Sequence, residues 1–483
     1  MRRPYPVPVT SEQTATPDRD DAPGYPPARQ AWLALVPVLM AFFMNLLDQS
    51  IVAVATPDIM GEFGTGYAAV IWVTSAYLLG YAVPLLVTGR LGDQFGQNRI
   101  FLAGVATFTA ASAACALSPT IHALVVARFV QGLGASMIGP QTLSIITRVF
   151  PPERRGAAMG WWGGTAGLAT LSGPILGGFL TSAGGWQWIF WVNVPVGLVC
   201  LVLALRFIPD LPATSRSFDV PGIITSILAM SCIVVGVQQG EPAGWAPWTW
   251  GLIILGVAFG ALFVRLQATA PDRGVEALVP LGLFGSPNFS RGAGSVAVMG
   301  FVTAANAVPI MLYLQQVERR DAFVAGLMIA PMAAVSGFMS PWVGTLIGRL
   351  HPRTMNGIGF GAMFAGHVAM FAVMRPEMPV WAIPVASVLM GVGHCFFWSA
   401  NSTITMMSVP HRLTGAGSGV YNASRQAGAV LGSATTAAFL QVGATAGRGG
   451  AVFGWALLAY AVVLVGGFAV GRGLHRPEDS GAA

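Results

Sequence analysis

The chain is poor in charge. Only 9% of its 483 residues are Asp, Glu, Lys or Arg, against roughly a quarter in an ordinary soluble domain. A water-facing globular surface cannot be covered with so few charges. Lysine is missing altogether, since all 25 basic residues are arginine. The net charge of +6 therefore reads as a bias of composition, and no nucleic-acid partner is expected. Cysteine is scarce. Cys115, Cys200, Cys232 and Cys395 stand alone inside apolar runs, without metal-ligand spacing, and read as small packing residues. The six histidines are isolated, with no HExxH pair, no Ser/His/Asp set and no Gly-rich phosphate loop before a helix. Metal hydrolysis, nucleophilic catalysis and ATP use thus lack their residues. The reading is not an enzyme, with no catalytic residue, no metal and no cofactor.

What is present is apolar. Hydrophobic residues make up 54% of the chain and glycines number 61. Apolar runs recur from Trp32 to Val470, each near the ~20 residues needed to cross a bilayer. They predict an all-α integral membrane protein of about fourteen transmembrane helices. The predicted spans are 32–56, 69–89, 99–118, 122–147, 157–182, 187–207, 220–239, 248–267, 292–316, 323–346, 355–375, 380–408, 416–441 and 452–471. The domain plan is a disordered tail (1–31), a six-helix half (32–207), a linker with two extra helices (208–290), a second six-helix half (291–471) and a tail (472–483). Residues 1–30 lack an apolar core, so they do not read as a signal peptide.

Arginine placement orients the bundle. With alternating loops, nineteen of the 25 arginines fall on the side of the two termini and four on the other, with Arg128 and Arg425 inside spans. Positive charge collects on the cytoplasmic side. Both termini are therefore expected in the cytoplasm, with the bundle in the cell membrane. Weak internal symmetry supports two related halves: Gly89–Arg99 follows the second span and Gly344–Arg353 the tenth, with Gly348 where Asp93 stands in the first copy.

The segment Gly89-Arg-Leu-Gly-Asp93-Gln-Phe-Gly96-Gln-Asn-Arg99 resembles the loop signature of the major facilitator superfamily. Its glycines permit a tight turn, Asp93 suits a helix N-terminus, and Arg99 is expected to pair with it. Further segments narrow the resemblance to the fourteen-span drug:proton antiporters of the EmrB/QacA type. They are Leu47-Asp48…Thr56-Pro57, Arg128-Phe-Val-Gln131-Gly132-Leu-Gly134, Gly167 with Gly173-Pro174-Ile-Leu-Gly177-Gly178, Trp186…Gly197, Asp219-Val-Pro-Gly222 and Arg425-Gln426-Ala-Gly428. The resemblance implies two six-helix halves working by alternating access. It implies export of a small lipophilic drug or antibiotic, driven by a proton gradient. A proton-coupled importer of a small metabolite is the alternative on the same fold. A monomer in the lipid bilayer is the expected unit.

Several residues stand out within the spans. Asp48 and Arg128 lie roughly 12 Å and 9 Å from the outer ends of their spans, at 1.5 Å per residue. Charges at that depth are costly when they face lipid, so both are expected to face the central cavity and to meet. Burial raises a carboxyl pKa and a nearby guanidinium lowers it. That makes Asp48 the candidate proton carrier, with Arg128 controlling release; a fixed structural ion pair is the other reading. Gly173-Pro174 is expected to kink the fifth span, with Gly167, Gly177 and Gly178 forming a close-packed face. Arg425, Gln131, His394 and His367 are candidates for the substrate cavity, with packing roles as the alternative for Arg425 and the histidines. Asp48 is the one acid clearly inside a span, against two buried arginines. That balance favours a neutral or weakly acidic substrate, such as an aromatic antibiotic.

Overall fold

The computed structural model describes residues 25–65, 67–211, 213, 219–240, 243–320, 322–347, 349–375, 377–445 and 451–474. Most of the tail predicted at 1–31 and Gly348 lie outside them. Sixteen α-helices follow in order: α1 (Ala28–Phe63), α2 (Tyr67–Ala82), α3 (Leu85–Phe95), α4 (Gln97–Ala116), α5 (Ile121–Val149), α6 (Pro152–Gly184), α7 (Trp188–Trp191), α8 (Asn193–Phe207), α9 (Val220–Gln238), α10 (Pro247–Ala268), α11 (Pro287–Leu312), α12 (Ala322–Leu346), α13 (Pro352–Val373), α14 (Ala382–Met407), α15 (Thr414–Thr445) and α16 (Ala451–Gly471).

Local chemistry sets the ends. Gly64 closes α1 in the left-handed conformation and donates its N–H to Met60 O, a geometry glycine adopts without strain. Thr120 caps α5 by accepting from Ala123 N, and Asp219 caps α9 by accepting from Gly222 N, as short oxygen-bearing side chains do. Pro84 separates α2 from α3, which cross at 43°; the single span expected over 69–89 is a bent pair.

Among the described residues eleven helices are long and apolar enough to cross a bilayer, and the bent pair makes twelve. This falls short of the fourteen expected. The two predicted spans that miss are the regions of α6 and α15. Both are over 30 residues long, but they are diluted by glycine, serine and threonine, and α6 opens on Glu153-Arg154-Arg155. They are also the helices on which the two halves meet. α6 packs on α1, α12 and α14, and α15 packs on α11, α3 and α5. Small residues permit that approach. A Cβ on Gly89 would stand 2.5 Å from Gly415 O, and one on Gly344 would stand 2.5 Å from Gly156 O. Large apolar side chains such as Leu205, Ile254, Phe338 and Val462 are exposed around the outside. That is the surface a lipid environment accepts and water does not.

The two ends of the described chain lie at one end of the bundle. Tyr25 hydrogen-bonds with His411 and accepts from Arg155. Leu474 is buried beside Val343 and Ile404, and Arg291 donates to Gly473 O. α9 and α10 pack on each other, and α9 leans on α2 and α15 through Val234, Ala82 and Val430. The segment after α10 runs back beneath this end. Asp219 accepts from Gln267 (2.7 Å) and Arg273 (3.1 Å), and Gln267 accepts from Val279 N (2.9 Å). Glu276 pairs with Arg90 of α3. Val279 and Leu283 bury against Met406, Val409 and Val420.

Candidate functional site

One buried polar cluster sits inside the first half. Arg128 Nη1 of α5 donates to Asp48 Oδ2 of α1 at 2.5 Å and to Gln131 Oε1 at 2.6 Å. Gln131 Nε2 donates to Asp48 Oδ1 and to Ser112 Oγ, both at 2.8 Å. Asn193 Nδ2, from the first residue of α8, donates to Asp48 Oδ1 at 3.3 Å. Arg128 Nε donates to Val73 O at 3.1 Å, and the guanidinium lies 4.2 Å from the Tyr77 ring centre. Five elements of one half, α1, α2, α4, α5 and α8, thus meet in one cluster, and two of them, α5 and α8, donate to the carboxylate of α1.

The cluster is dry. Asp48 and Gln131 are 0% exposed and Arg128 1%. Leu47, Ile51, Cys115, Leu124, Ile189 and Phe190 enclose it. In such surroundings two charges persist only when paired and hydrogen-bonded, because desolvation costs several kcal/mol per ion. The predicted pairing holds. The pair and Gln131 are enclosed by elements of the first half. Polar and apolar residues are weakly segregated around α1 and α5, so depth was readable from the sequence while direction was not. Ser112, Asn193 and Tyr77 were not singled out as site residues, although each is a polar or phenolic residue within a predicted span.

The Gly89–Arg99 segment forms a second assembly, at the end that carries the chain's described termini. Asp93 Oδ1 and Oδ2 accept from Gly415 N and Ala416 N, each at 2.8 Å, so it does sit at a helix N-terminus, that of α15. Gln97 donates to Asp93 at 3.1 Å, and Arg90 stands 3.8 Å away. Arg99 is exposed and does not fill the expected role. Gly96, at φ +93°, turns the chain between α3 and α4 and carries Arg99 away. Arg148 donates to Gln97 Oε1 at 2.6 Å. Beside this assembly burial, then Arg155 and Arg148, push the His411 pKa below its ordinary value.

The remaining candidates separate. Gly173 and Pro174 lie inside α6, which is one helix from Pro152 to Gly184; the Pro174 side chain lies outside the described residues. Gly173 is pressed on Ser50 of α1, and Gly167 on Gly337 and Ser336 of α12. Gly177 is buried, whereas Gly178 faces open space and lies off the packed face. Arg425 of α15 is half-buried and donates to Tyr81 OH of α2 at 2.9 Å, joining the two halves. His394 hydrogen-bonds with Thr303 at 3.3 Å, and His367 Nδ1 lies 2.8 Å from Met363 O. Both are buried within the second half. The described residues hold no group of three or more potential metal ligands.

Comparison with known proteins agrees with this architecture. Residues 38–433 match the family profile described as Major Facilitator Superfamily. An uncharacterized MFS-type transporter of Mycobacterium tuberculosis is 44% identical over 412 residues, 85% of this chain and 71% of that protein. The tetracenomycin C resistance and export protein of Streptomyces glaucescens is 32% identical over 429 residues, 87% of this chain and 79% of that protein. Among solved structures, the human organic anion transporter MFSD10 superposes with a TM-score of 0.66 at 14% identity. That alignment covers 91% of this chain and 99% of the other.

Proposed function

The chain belongs to the major facilitator superfamily, and from that premise we propose that it is a proton-coupled exporter of small lipophilic compounds. In this reading it is a fourteen-span antiporter of the EmrB/QacA type, with α6 and α15 as the two spans beyond the twelve apolar ones. It works as a monomer in the cell membrane, with both termini in the cytoplasm. The likeness to the tetracenomycin C export protein supports export and a drug-like substrate.

The observation that carries proton coupling is the Asp48–Arg128 pair, sealed inside one half. A proton taken up by Asp48 cancels the attraction that fixes Arg128. The guanidinium then keeps Val73 O, Gln131 Oε1 and the Tyr77 face, so α1 and α5 lose their strongest mutual restraint without leaving the arginine unsolvated. Loss of the proton restores it. Alternation between these states, linked to α3/α15 and α6/α12 parting and closing, exchanges protons for substrate.

The test is proton movement in proteoliposomes with a panel of aromatic antibiotics and cationic dyes, comparing wild type with Asp48→Asn. Substrate-triggered proton release is expected in wild type and absent in the variant. Release that survives in Asp48→Asn removes the carboxylate from the coupling role. Wild-type protein that moves no protons with any of the compounds removes the antiport reading itself.

A further inference from the structure

The second half has no acid in its helices. From α11 to α16 no Asp or Glu occurs within any helix, yet Arg425 sits well inside α15. The acids of the first half are committed or remote. Asp48 is bound to Arg128 and Asp93 to the α15 N-terminus. Asp58 and Glu62 are exposed at the far end of α1, and Glu153 opens α6 at the terminal end. Among the described residues no carboxylate lies within ion-pair distance of Arg425. Its one described hydrogen bond goes to a neutral phenol, Tyr81. A guanidinium carries five N–H donors in a planar fork, so most of this one is unspent.

The surroundings repeat the pattern of surplus donors. Tyr421 lies one turn before Arg425, on the same face of α15, and donates to Asn401 Oδ1 at 3.0 Å. The Asn401 Nδ2 is buried with no partner. Tyr81 stacks on Tyr77, with ring centres 6.2 Å apart. Tyr77 OH donates to Asn45 Oδ1 at 2.6 Å, and Asn45 Nδ2 is also buried without a partner. The contact between halves at Arg425 and Tyr81 therefore offers a cation and a phenol ring with no anion of its own, and each half carries one buried, unused amide donor on an asparagine bonded to the neighbouring tyrosine, Asn401 to Tyr421 and Asn45 to Tyr77.

The geometry points to Arg425 as the residue that recognises the negative charge of the substrate, whose class is an amphipathic aromatic anion: a carboxylate, or a phenol acidic enough to ionise. This rests on the exporter reading and gives that site its ligand chemistry. The anionic oxygens take the guanidinium fork, which forms the stronger, charge-assisted hydrogen bonds. Arg425 then leaves Tyr81, so the substrate replaces a contact between the two halves. Tyr81 stacks on the ring that Arg128 covers, which puts substrate charge and coupling pair on one aromatic ladder.

Equilibrium binding to the full chain in phosphatidylcholine nanodiscs tests this, with no gradient and no anionic lipid present. The probes are 2-naphthoate, the acidic hydroxynaphthoquinone lawsone, and neutral 2-naphthamide. Wild type is expected to prefer the two acids to the amide by about tenfold or more. Arg425→Gln is expected to bind the acids no better than the amide, and Arg425→Lys to recover part of the preference. A Gln variant that keeps the preference overturns the proposal, as does a wild type that shows none. The two readings fail separately. Anion preference without substrate-driven proton release removes export and leaves the site; proton-coupled export by Arg425→Gln with unchanged preference for acids removes the site and leaves export.

Discussion

Asp48 and Arg128 show how narrow the terms are on which a charge survives away from water. Each alone is destabilising at that depth, and together they hold because Gln131, Asn193 and Val73 O take up further hydrogen-bonding capacity of the pair, with Ser112 holding Gln131 in turn. Removing one partner leaves the other buried and uncompensated. Arg128→Ala is therefore expected to cost about 3–5 kcal/mol, read as a lower unfolding temperature in detergent. The double variant Asp48→Asn/Arg128→Gln removes both charges and keeps hydrogen-bonding groups. It is expected to regain most of that stability while proton release stays lost. A double variant as unstable as Arg128→Ala would mean that packing, and not charge, sets the cost. Much of this was readable beforehand: the sequence shows an acid and a base at matched depth in two apolar runs. Which way they point was not, because helices α1 and α5 carry no polar face to orient them.

At the scale of helices, long apolar runs made most boundaries readable, to within a few residues for α5, α10 and α14. The breaks were harder. Pro84 in the second span is a visible signal, but a proline inside an apolar run is compatible with a kink or with a full stop. Asp93 was placed correctly at a helix N-terminus, while its basic neighbour was not. Arg90 lies three residues away on the same helix face, whereas Arg99 lies beyond the Gly96 turn. The α3–α15 junction also admits no added volume. Gly415→Val puts side-chain atoms where Gly89 O (2.3 Å from an ideal Cβ) and the Asp93 carboxylate now stand. Spin labels at Arg99→Cys and Arg412→Cys are expected to report a longer separation in Gly415→Val, with the terminal end of the bundle held open. An unchanged distance distribution would show that the junction closes by another route. Asp93→Asn keeps the shape and loses charge from two backbone hydrogen bonds, so a partial shift in the same direction is expected.

For the whole molecule, the described contacts between halves concentrate where glycine faces glycine or a small side chain: Gly89 with Gly415 and Gly419, Gly156 and Gly160 with Gly344, Gly167 with Ser336 and Gly337. Backbone meeting backbone leaves little side-chain interdigitation to undo, which suits surfaces that must separate and return. The added helices are fastened to this same region by Glu276 on Arg90 and by Val279 and Leu283 on Met406, Val409 and Val420. Glu276→Gln is expected to lengthen the same spin-label distance, by less than Gly415→Val does, and an indistinguishable distribution would separate the added helices from closure.

Eighteen residues lie between the end of α10 and the start of α11. Fully drawn out, such a length reaches about 60 Å, far more than any rocking of the halves requires. The connection is a slack leash: it sets no limit on how far the halves travel, and only the places where it is pinned can resist their parting.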